Sequence, residues 1–583
     1  LNRKFPFSFV SALAFHYICD VKAAAYPMPR ATAMKQTLII PFMKSKTKIL
    51  AAILCAAVSA FPFAGSVAQI TIVPQPRQVR LNPGKATLPA NPKVYIDSKA
   101  KISADYVTAQ LKETGLTPVL VKKASQADIA ITLNAKEATH AEGYELNVTD
   151  KGTPAITATA HDRSGAVYAL ETIRQLLKKE GNGFSAAVCK ISDWPEFGWR
   201  SMLLDESRHF HGSAMVKRLL DEMVRLKMNT FHWHLVDDPG WRLEIKGYPK
   251  LTEVGSLSDF SHWFPGAEEW KKIYPERERS YYTQDEIREI VEYAAERGIR
   301  ILPEIEVPAH CTAATKAYPE LLTPVDNGNE NLPALYNVIS PKYEKFIHDV
   351  LDQVIKLFDA KVIHIGGDEA NYSRWDNNAK IKAFMKEHGL HTYPDMQLYA
   401  INEISKYLDK KGVKMIGWNE ITGDNIRNEA GRGENSAIQL KPGTLVQFWD
   451  GSTEFAKKAI AKGYEVVNSN RLFTYIDYSY ESIPLTRAYS FNPYFDGLTD
   501  EQKTKVLGCG CQMWGEATPT DKRIYFQTFP RLAAYAEAGW TPNDLKNYAD
   551  FVRRITPIEQ TWKQKGYFVG QPSFTMGKTE EPK

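Results

Sequence analysis

The sequence predicts an α/β fold, a TIM (β/α)8 barrel preceded by a small α+β domain. Eight short apolar runs alternate with helical patterns over roughly 350 residues, which is the pattern of parallel strands joined by helices. Before residue 195, several strand-like runs come ahead of one helical pattern instead. A doubly wound open sheet is the alternative, but no glycine-rich nucleotide loop follows the first barrel strand.

The chain divides into four predicted segments. They are an upstream segment with a signal peptide (1–68), the α+β domain (69–195), the barrel (196–540) and a C-terminal helical cap and tail (541–583). In the α+β domain we predict strands at 94–97, 128–133, 144–148 and 155–160 and a helix at 165–177. This domain has no cluster of catalytic residue types, so we interpret it as a packing domain.

The barrel prediction rests on eight strands and the helical patterns between them. The predicted strands are 200–205, 230–236, 299–305, 362–366, 413–418, 444–449, 464–468 and 508–514. The clearest helical patterns are 213–227, 283–297, 341–358 and 396–410.

Charge and targeting signals are concentrated at the N-terminus. The net charge is +5, but residues 1–68 hold eight Lys or Arg against the single acid Asp20, so nothing in the remainder indicates a nucleic-acid partner. Residues 43–68 have a basic start, an apolar run and small residues before Ala68, which predicts a cleaved signal peptide and a periplasmic or extracellular protein. The apolar run, 49–61, is short for a bilayer span, so a retained membrane anchor is the weaker alternative. A lipid anchor on Cys55 is weaker still, because Leu54 stands where a small residue is expected. We interpret residues 1–42 as untranslated or misassigned sequence.

Cleavage after Ala68 would leave four cysteines, too few for a disulfide scaffold. One bridge is possible in an exported protein, but we expect buried free thiols. The four are Cys189, Cys311, Cys509 and Cys511.

The stretch 361–369, read KVIHIGGDE, is the most informative of the chain. A short apolar run stops at Gly366 and Gly367, and two acids follow at once. Glycines at a strand end allow a sharp turn and a close approach, so Asp368 and Glu369 can both project into one cleft. An acidic turn or a helix N-cap is the simpler interpretation of such a pair.

The other predicted strands also end in polar or aromatic residues, and a TIM barrel builds its site from those ends. Flat aromatic faces beside carboxylates suit a sugar ring, which offers a C–H face for stacking and hydroxyl groups for hydrogen bonds. The strand-end residues, in chain order, are Asp205, Arg208, His209, His232, His234, Asp237, Asp238, Glu304, Glu306, His310, Asp368, Glu369, Trp418, Glu420, Trp449, Asp450, Tyr475, Asp477, Trp514 and Glu516.

One alternative belongs to another class of enzyme. His232 and His234 form an HxH pair on one strand face, a spacing that fits a metal-dependent hydrolase. The later strands bring tryptophans and a tyrosine in place of further ligands, so we predict no metal and no cofactor and interpret both histidines as supporting groups.

With these residues identified, the chain resembles the β-N-acetylhexosaminidases of glycoside hydrolase family 20. The likeness covers the whole predicted barrel, and the family also has a counterpart of the preceding domain. It departs at Ala309, where glycine is frequent, and at 251–282, with Trp263 and Phe264, which matches no motif. The motifs are LDESRHF (204–210), FHWHLVDDPGWR (231–242), LPEIEVPAH (302–310), HIGGDE (364–369), GWNE (417–420), QFWD (447–450) and MWGE (513–516).

The resemblance implies a role for each site residue. Glu369 would be the general acid and then the base, with His310 and Asp237 relaying to it. Asp368 and Tyr475 would hold the substrate's 2-acetamido group, whose oxygen attacks C1 in this family. The residues implied to bind the sugar are Arg208, Trp418, Trp449, Asp477, Trp514 and Glu516.

The expected function is therefore hydrolysis, with retention, of terminal non-reducing β-linked N-acetylglucosamine (GlcNAc) and N-acetylgalactosamine (GalNAc), through an oxazolinium intermediate. The alternatives are a non-catalytic sugar-binding protein of the same fold and the metal-dependent hydrolase on His232 and His234. The intact acids and Tyr475 argue against a pure sugar-binding protein. The expected partners are glycans. Linkage and oligomeric state do not follow from the sequence.

Overall fold

A computed structural model describes residues 70–257, 280–427 and 435–570. These residues belong to one compact unit. The predicted signal peptide lies outside the described residues and stays a prediction. Trp263 and Phe264, of the region that matches no motif, also lie outside the described residues.

The N-terminal domain is a mixed sheet, packed on helices. Its strands follow the order β1-β8-β5-β6-β4-β2-β3, and β7 pairs with β8. The strands are β1 (Gln78–Pro89), β2 (Lys93–Ile96), β3 (Val119–Leu120), β4 (Ile129–Leu133), β5 (Tyr144–Val148), β6 (Ile156–Ala160), β7 (Lys178–Glu180) and β8 (Gly183–Asp193). The helices are α1 (Ala104–Lys112) and α2 (Arg163–Leu176).

Local sequence explains the centre of this sheet. Strands β5 and β6 alternate buried and half-buried residues, so each presents one apolar face for packing. Helix α2 begins after Asp162, whose side chain accepts a hydrogen bond from the Gly165 amide. The long antiparallel pair β1–β8 was not predicted, because β1 is largely exposed and its register shifts between Leu81 and Lys85.

The second domain is a closed barrel of eight parallel strands, in the order β10-β11-β12-β13-β14-β15-β16-β9. The predicted fold class is therefore confirmed, and each predicted barrel strand overlaps an observed one. The strands are β9 (Trp199–Asp205), β10 (Thr230–His234), β11 (Arg300–Glu304), β12 (Val362–His364), β13 (Lys414–Trp418), β14 (Leu445–Phe448), β15 (Glu465–Asn468) and β16 (Val506–Met513).

Several helices of the barrel domain and of the C-terminal segment begin with a side-chain cap. Thr283 and Glu286 form a capping box, and Ser340 caps a helix with Pro341 at its first position. The helices are α3 (Ser213–Arg225), α4 (Lys250–Glu253), α5 (Gln284–Glu296), α6 (Thr312–Ala317), α7 (Pro341–Phe358), α8 (Ser373–Asp376), α9 (Ala379–Glu387), α10 (Tyr393–Lys410), α11 (Thr453–Ala461), α12 (Arg471–Thr474), α13 (Leu485–Ser490), α14 (Asp500–Lys503), α15 (Asp521–Thr528), α16 (Arg531–Trp540) and α17 (Tyr548–Gln564).

A buried ion pair joins the two domains. Lys227, after α3, lies 2.8 Å from Asp193 at the end of β8, and both side chains are fully buried. The Tyr144 hydroxyl and the Trp540 indole N–H also contact Asp193. Because an unpaired buried charge is costly, this cluster favours one docking geometry between the sheet and the barrel.

Two smaller predictions concern the cysteines and the membrane. Cys189, Cys311, Cys509 and Cys511 are all buried and free, as expected. Within the described part of the chain, no helix is both long enough and apolar enough to cross a bilayer.

Candidate active site

The turn after β12 carries the two adjacent acids. Gly366 and Gly367 have φ of +64° and +92°, a region that favours glycine. A Cβ on Gly366 would lie 1.7 Å from Glu306 Oε2, so glycine is also required by space. The glycine pair thus lets the chain turn tightly over Glu306 and directs Asp368 and Glu369 into the same cleft.

Two residues of the predicted site have unusual backbone conformations. His310 and Glu369 each have φ of +48°, which is uncommon for residues with a Cβ. Such strain persists only where surrounding structure holds it, and it clusters at functional sites. The fold therefore fixes these two side chains at a conformational cost.

His310 connects the acid pair to Asp237. Its Nδ1 lies 3.1 Å from Asp237 Oδ1, and its Nε2 lies 3.6 Å from both Asp368 Oδ2 and Glu369 Oε2. Burial opposes the charge of His310, but Asp237 and Asp368 raise its pKa well above the ordinary value. The imidazolium therefore faces both acids.

Asp237 in turn lies between several cations. Arg208 Nη1 is 2.8 Å from Asp237 Oδ2, and His234 Nε2 is 2.9 Å from the same oxygen. Burial alone would raise the pKa of Asp237, but Arg208 and His310 hold it well below its usual range. Asp237 is thus a fixed anion that orients His310.

Glu304 is the acid that contacts His234 on the side away from Asp237. His234 Nδ1 lies 2.7 Å from Glu304 Oε2, and burial is outweighed by Glu304 and Asp237, which raise the pKa of His234 to about 10. The row Glu304, His234, Asp237, His310 and Asp368 alternates anion and cation, and we refer to it as the buried charge chain.

Asp368 differs from the other anions of the chain. Its pKa is raised to about 7, first by burial and further by the negative charge of Glu369, while His310 opposes the shift. Glu306, packed under Gly366, also has a pKa well above its usual value because of burial and the charge of Asp368. Protons are therefore held near the acid pair at neutral pH.

Aromatic rings surround the acids. Trp449 and Tyr475 are parallel, with ring centroids 6.0 Å apart, and Trp514 lies 5.9 Å from Tyr475. Trp418 is only 1% exposed and donates its indole N–H to Glu304 at 2.9 Å. Trp418 therefore supports Glu304 from the core side of the site, and its predicted role in lining the pocket stays a prediction.

The remaining predicted sugar-binding residues are Arg208 and two carboxylates, Glu516 and Asp477. Glu516 Oε1 lies 3.6 Å from Arg208 Nη2. Burial and the charge of Glu516 raise the pKa of Asp477 well above its usual value, so these two acids are close. Asp368 Oδ1, Asp477 Oδ1 and His310 Nε2 are buried and find no hydrogen-bond partner among the described residues. Such atoms are the ones that a polar ligand would satisfy.

The residues of the metal alternative also cluster. His232, Glu304 and His364 place potential ligand atoms within 4.8 Å of one another. His234, the other member of the HxH pair, already contacts Glu304 and Asp237 through its two nitrogens. His234 is thus a member of the buried charge chain, and His232 contacts the chain through Glu304, whose Oε2 lies 2.9 Å from His232 Nε2.

The sequence analysis missed a cation at the open side of the site. Arg427 forms an ion pair with Glu369 Oε1, lies 3.4 Å from Asp450 and covers the Trp449 ring at 5.0 Å. It stands in a polar loop after β13, outside every quoted motif. No local signal in the sequence marks it.

A close pair of acids at the end of a barrel strand, with aromatic rings and further carboxylates around it, is the arrangement of a glycoside hydrolase. Two family models match this chain. They are glycosyl hydrolase family 20, catalytic domain, over residues 197–543, and glycosyl hydrolase family 20, domain 2, over residues 69–194. The chain belongs to glycosyl hydrolase family 20, as the motifs predicted, and is a glycoside hydrolase of the β-hexosaminidase type.

Individual relatives agree with the family models. The beta-hexosaminidase of Vibrio furnissii is 32% identical over 82% of this chain and 77% of its own length. A GH20 exo beta-N-acetylglucosaminidase of Vibrio harveyi, solved with N-acetylglucosamine, gives a TM-score of 0.75 at 28% identity and covers 87% of this chain and 79% of that one. Flavobacterium johnsoniae chitobiase gives 0.71 at 33% identity, covering 85% and 73%.

Gly366→Ala should disable the site beyond the cost of its backbone strain. Gly389→Ala is the matched control, because Gly389 has φ of +66° but a Cβ there meets nothing within 4 Å. The control should lose about 1 kcal/mol in stability and keep its activity. The Gly366 variant should lose more stability and most hydrolysis, because Glu306 and the turn must move apart. Equal melting temperatures and equal activities for the two variants would contradict the steric argument.

Proposed function

We propose that this protein is an exo-β-N-acetylhexosaminidase that releases terminal, non-reducing β-linked GlcNAc and GalNAc with retention of configuration. The observation that carries the proposal is the position of the acids. Asp368 and Glu369 each lie 3.6 Å from His310 Nε2, in a buried site with aromatic and carboxylate groups around it. A site that only bound sugar would have no need for a proton donor held in this way.

In the first step, the substrate's acetamide oxygen attacks C1 while the bond from C1 to the glycosidic oxygen breaks. Glu369 gives its proton to the departing oxygen. Asp368 accepts a hydrogen bond from the acetamide N–H and stabilises the positive charge of the oxazolinium ring. The Tyr475 hydroxyl holds the acetamide oxygen. An attached nucleophile needs only the correct orientation, which the pocket supplies.

In the second step, water attacks C1 from the side that the leaving group vacated. Glu369, now a carboxylate, takes a proton from that water, and the oxazolinium ring opens to regenerate the acetamide. Two inversions at C1 give net retention. His310, held by Asp237, remains a cation beside both acids and stabilises the carboxylate form of Glu369 between the steps.

The proposed exo action rests on the groups beyond the acids. Arg208, Glu516 and Asp477 offer donors and acceptors for the outer hydroxyl groups of one sugar, while Trp449 and Trp514 offer ring faces. These groups would surround the terminal ring, so only a non-reducing end would fit.

The decisive experiment compares aryl β-glycosides that differ only at C2. We expect rapid hydrolysis of the GlcNAc and GalNAc compounds, almost none of the glucoside, and strong inhibition by a thiazoline analogue of the intermediate. Acids this close would also suit a covalent glycosyl-enzyme, but that route does not need the acetamide. Comparable turnover of the glucoside would therefore rule out the proposed route.

The two acids should respond differently to the leaving group. Glu369→Gln removes the proton donor, so the loss should be severe for a disaccharide and much milder for an aryl glycoside with a stable leaving anion. Asp368→Asn weakens stabilisation of an intermediate that forms in both cases, so both substrates should slow alike, on the order of 10² or more. The measurement is kcat/KM for each variant on each substrate. The opposite pattern would reverse the two roles.

Asp368 should also set the acidic limit of activity. Its pKa is raised to about 7, first by burial, and the proposed first step needs it as a carboxylate that stabilises the oxazolinium ring. For an aryl β-GlcNAc glycoside, whose leaving anion needs no proton, kcat/KM should therefore fall as pH drops below about 7. In Asp368→Asn this limb should be absent, because Asn does not titrate. The same limb in that variant would contradict this assignment.

A further inference from the structure

A cavity lies at the end of the barrel opposite the acid pair. Its volume is about 420 Å³, and it lies beside the residues that begin strands β9, β11 and β16. The acid pair follows the carboxyl end of β12, so the length of the barrel separates this cavity from the active site. The cavity is lined by residues 196–199, by Arg300 and Tyr494, by residues 503–504 and by the start of β16.

Arg300, the first residue of β11, supplies a cation to this cavity. Its guanidinium lies over the Trp199 ring, with Cζ 4.3 Å from the ring centroid, and its Nε donates to the Thr230 hydroxyl oxygen at 2.8 Å. Solvent reaches the side chain, but the enclosing protein removes much of its hydration and lowers the pKa of Arg300 to about 10, with a further contribution from Arg200. Arg300 is therefore a cation at neutral pH that is incompletely hydrated.

Among the residues that the structure describes, no carboxylate forms an ion pair with Arg300. Glu142 acts on it from a greater distance and is already paired with Arg200 at 2.6 Å. Glu196, the acid in the cavity lining, is paired with Arg77. Because a partly desolvated charge without a counter-ion is unfavourable, an anion from solution would be favoured beside Arg300.

The rest of the cavity suits the organic part of a ligand. The rings of Phe197 and Tyr494 lie 4.6 Å apart in a tilted arrangement, and Leu507 continues the apolar wall. Lys503 adds a second ammonium group, which pairs with Asp500, a residue whose side chain is 97% exposed. Apolar walls with a few placed polar groups are typical of small-molecule sites, and a volume of about 420 Å³ lies within their usual range.

We propose that this cavity is a binding site for a small organic anion, in which a carboxylate or phosphate group pairs with Arg300 and an apolar or ring-shaped part packs against Phe197 and Tyr494. A guanidinium can donate two parallel hydrogen bonds to either group. The inference is independent of the proposed function, because none of these residues belongs to the active site. Residues 196–199 connect the two domains, so a bound anion should stabilise the folded protein and should not compete with substrate.

The test measures binding of phenyl phosphate and of benzoate to the wild-type protein, by calorimetry and by the shift in melting temperature. Benzyl alcohol is the neutral control, and sodium chloride at equal ionic strength controls for screening of surface charges. At least one of the two anions should raise the melting temperature and bind at least about tenfold more tightly than benzyl alcohol, the range of one charge-assisted contact. The responding probe identifies the phosphate or the carboxylate as the recognised group.

Two smaller anions test the organic part of the proposal. Inorganic phosphate and acetate should each bind more weakly than the aromatic probe with the same charged group, because they leave the wall formed by Phe197 and Tyr494 uncovered.

Arg300→Met should weaken binding of the responding probe by about tenfold or more, and Arg300→Lys should keep part of it, because the charge remains without the paired donors. Arg487→Met is the matched control. Arg487 is also exposed, covers an aromatic ring (Phe473, at 5.1 Å) and forms no ion pair within the described ranges, but it is not part of the cavity lining. Its loss should leave the affinity unchanged. The circular dichroism spectrum and the melting temperature without ligand check the fold of each variant.

Each outcome decides the inference. Binding of both anions no tighter than that of benzyl alcohol would overturn it, and so would an unchanged affinity in Arg300→Met or equal binding of the small and the aromatic anions. A saturating concentration of the responding probe should leave KM for an aryl β-GlcNAc glycoside unchanged. A rise in KM with kcat constant would place the anion in the active site and would also overturn the inference.

Discussion

The buried charge chain is the interaction on which the rest of the site depends. Each of its members would be strongly disfavoured alone in a buried position, and each is stabilised because its neighbours carry the opposite sign. Its members come from the ends of three successive barrel strands, so the chain exists only when the barrel is closed. Folding and the ionisation states of the site are therefore linked. Removing one member leaves a neighbouring charge unpaired and does more damage than the loss of one contact.

Backbone geometry adds a second constraint of the same kind. Gly366 must approach Glu306 closely, and His310 and Glu369 must keep a positive φ. None of these conformations is favoured locally. They are stabilised by the barrel strands on either side, which place the third and fourth strand ends next to each other. Packing within the barrel thus offsets the conformational cost of holding the two acids and His310 in these positions.

The barrel could be predicted from sequence because its parallel strands are buried on both faces and contain short apolar runs, as at Met202, Leu203 and Leu204 in β9. The edge strand β1 of the first domain has no such signal, because it is polar and exposed, so its pairing with β8 was not predicted. Motif residues such as Asp368 and His310 were identifiable because they follow strand ends. Arg427 was not, because its place beside Glu369 is set by loop packing. The charge of His234 and the burial of Trp418 likewise depend on neighbours distant in sequence.

The acid pair has a buried inner side, towards His310 and Asp237, and an exposed outer side, towards Arg427. The charged groups on the two sides differ in how many ion pairs hold them in place. On the inner side, Asp237 is held by three ion pairs, with Arg208, His234 and His310, so its position and charge are fixed. On the outer side, Glu369 is 37% exposed and contacts Arg427, which stands in a loop after β13. The inner charges are therefore fixed by the barrel strands, whereas the contact between Glu369 and Arg427 depends on loop packing. A substitution of Arg427 can alter that contact without removing a member of the buried charge chain, because the chain contains no residue of that loop.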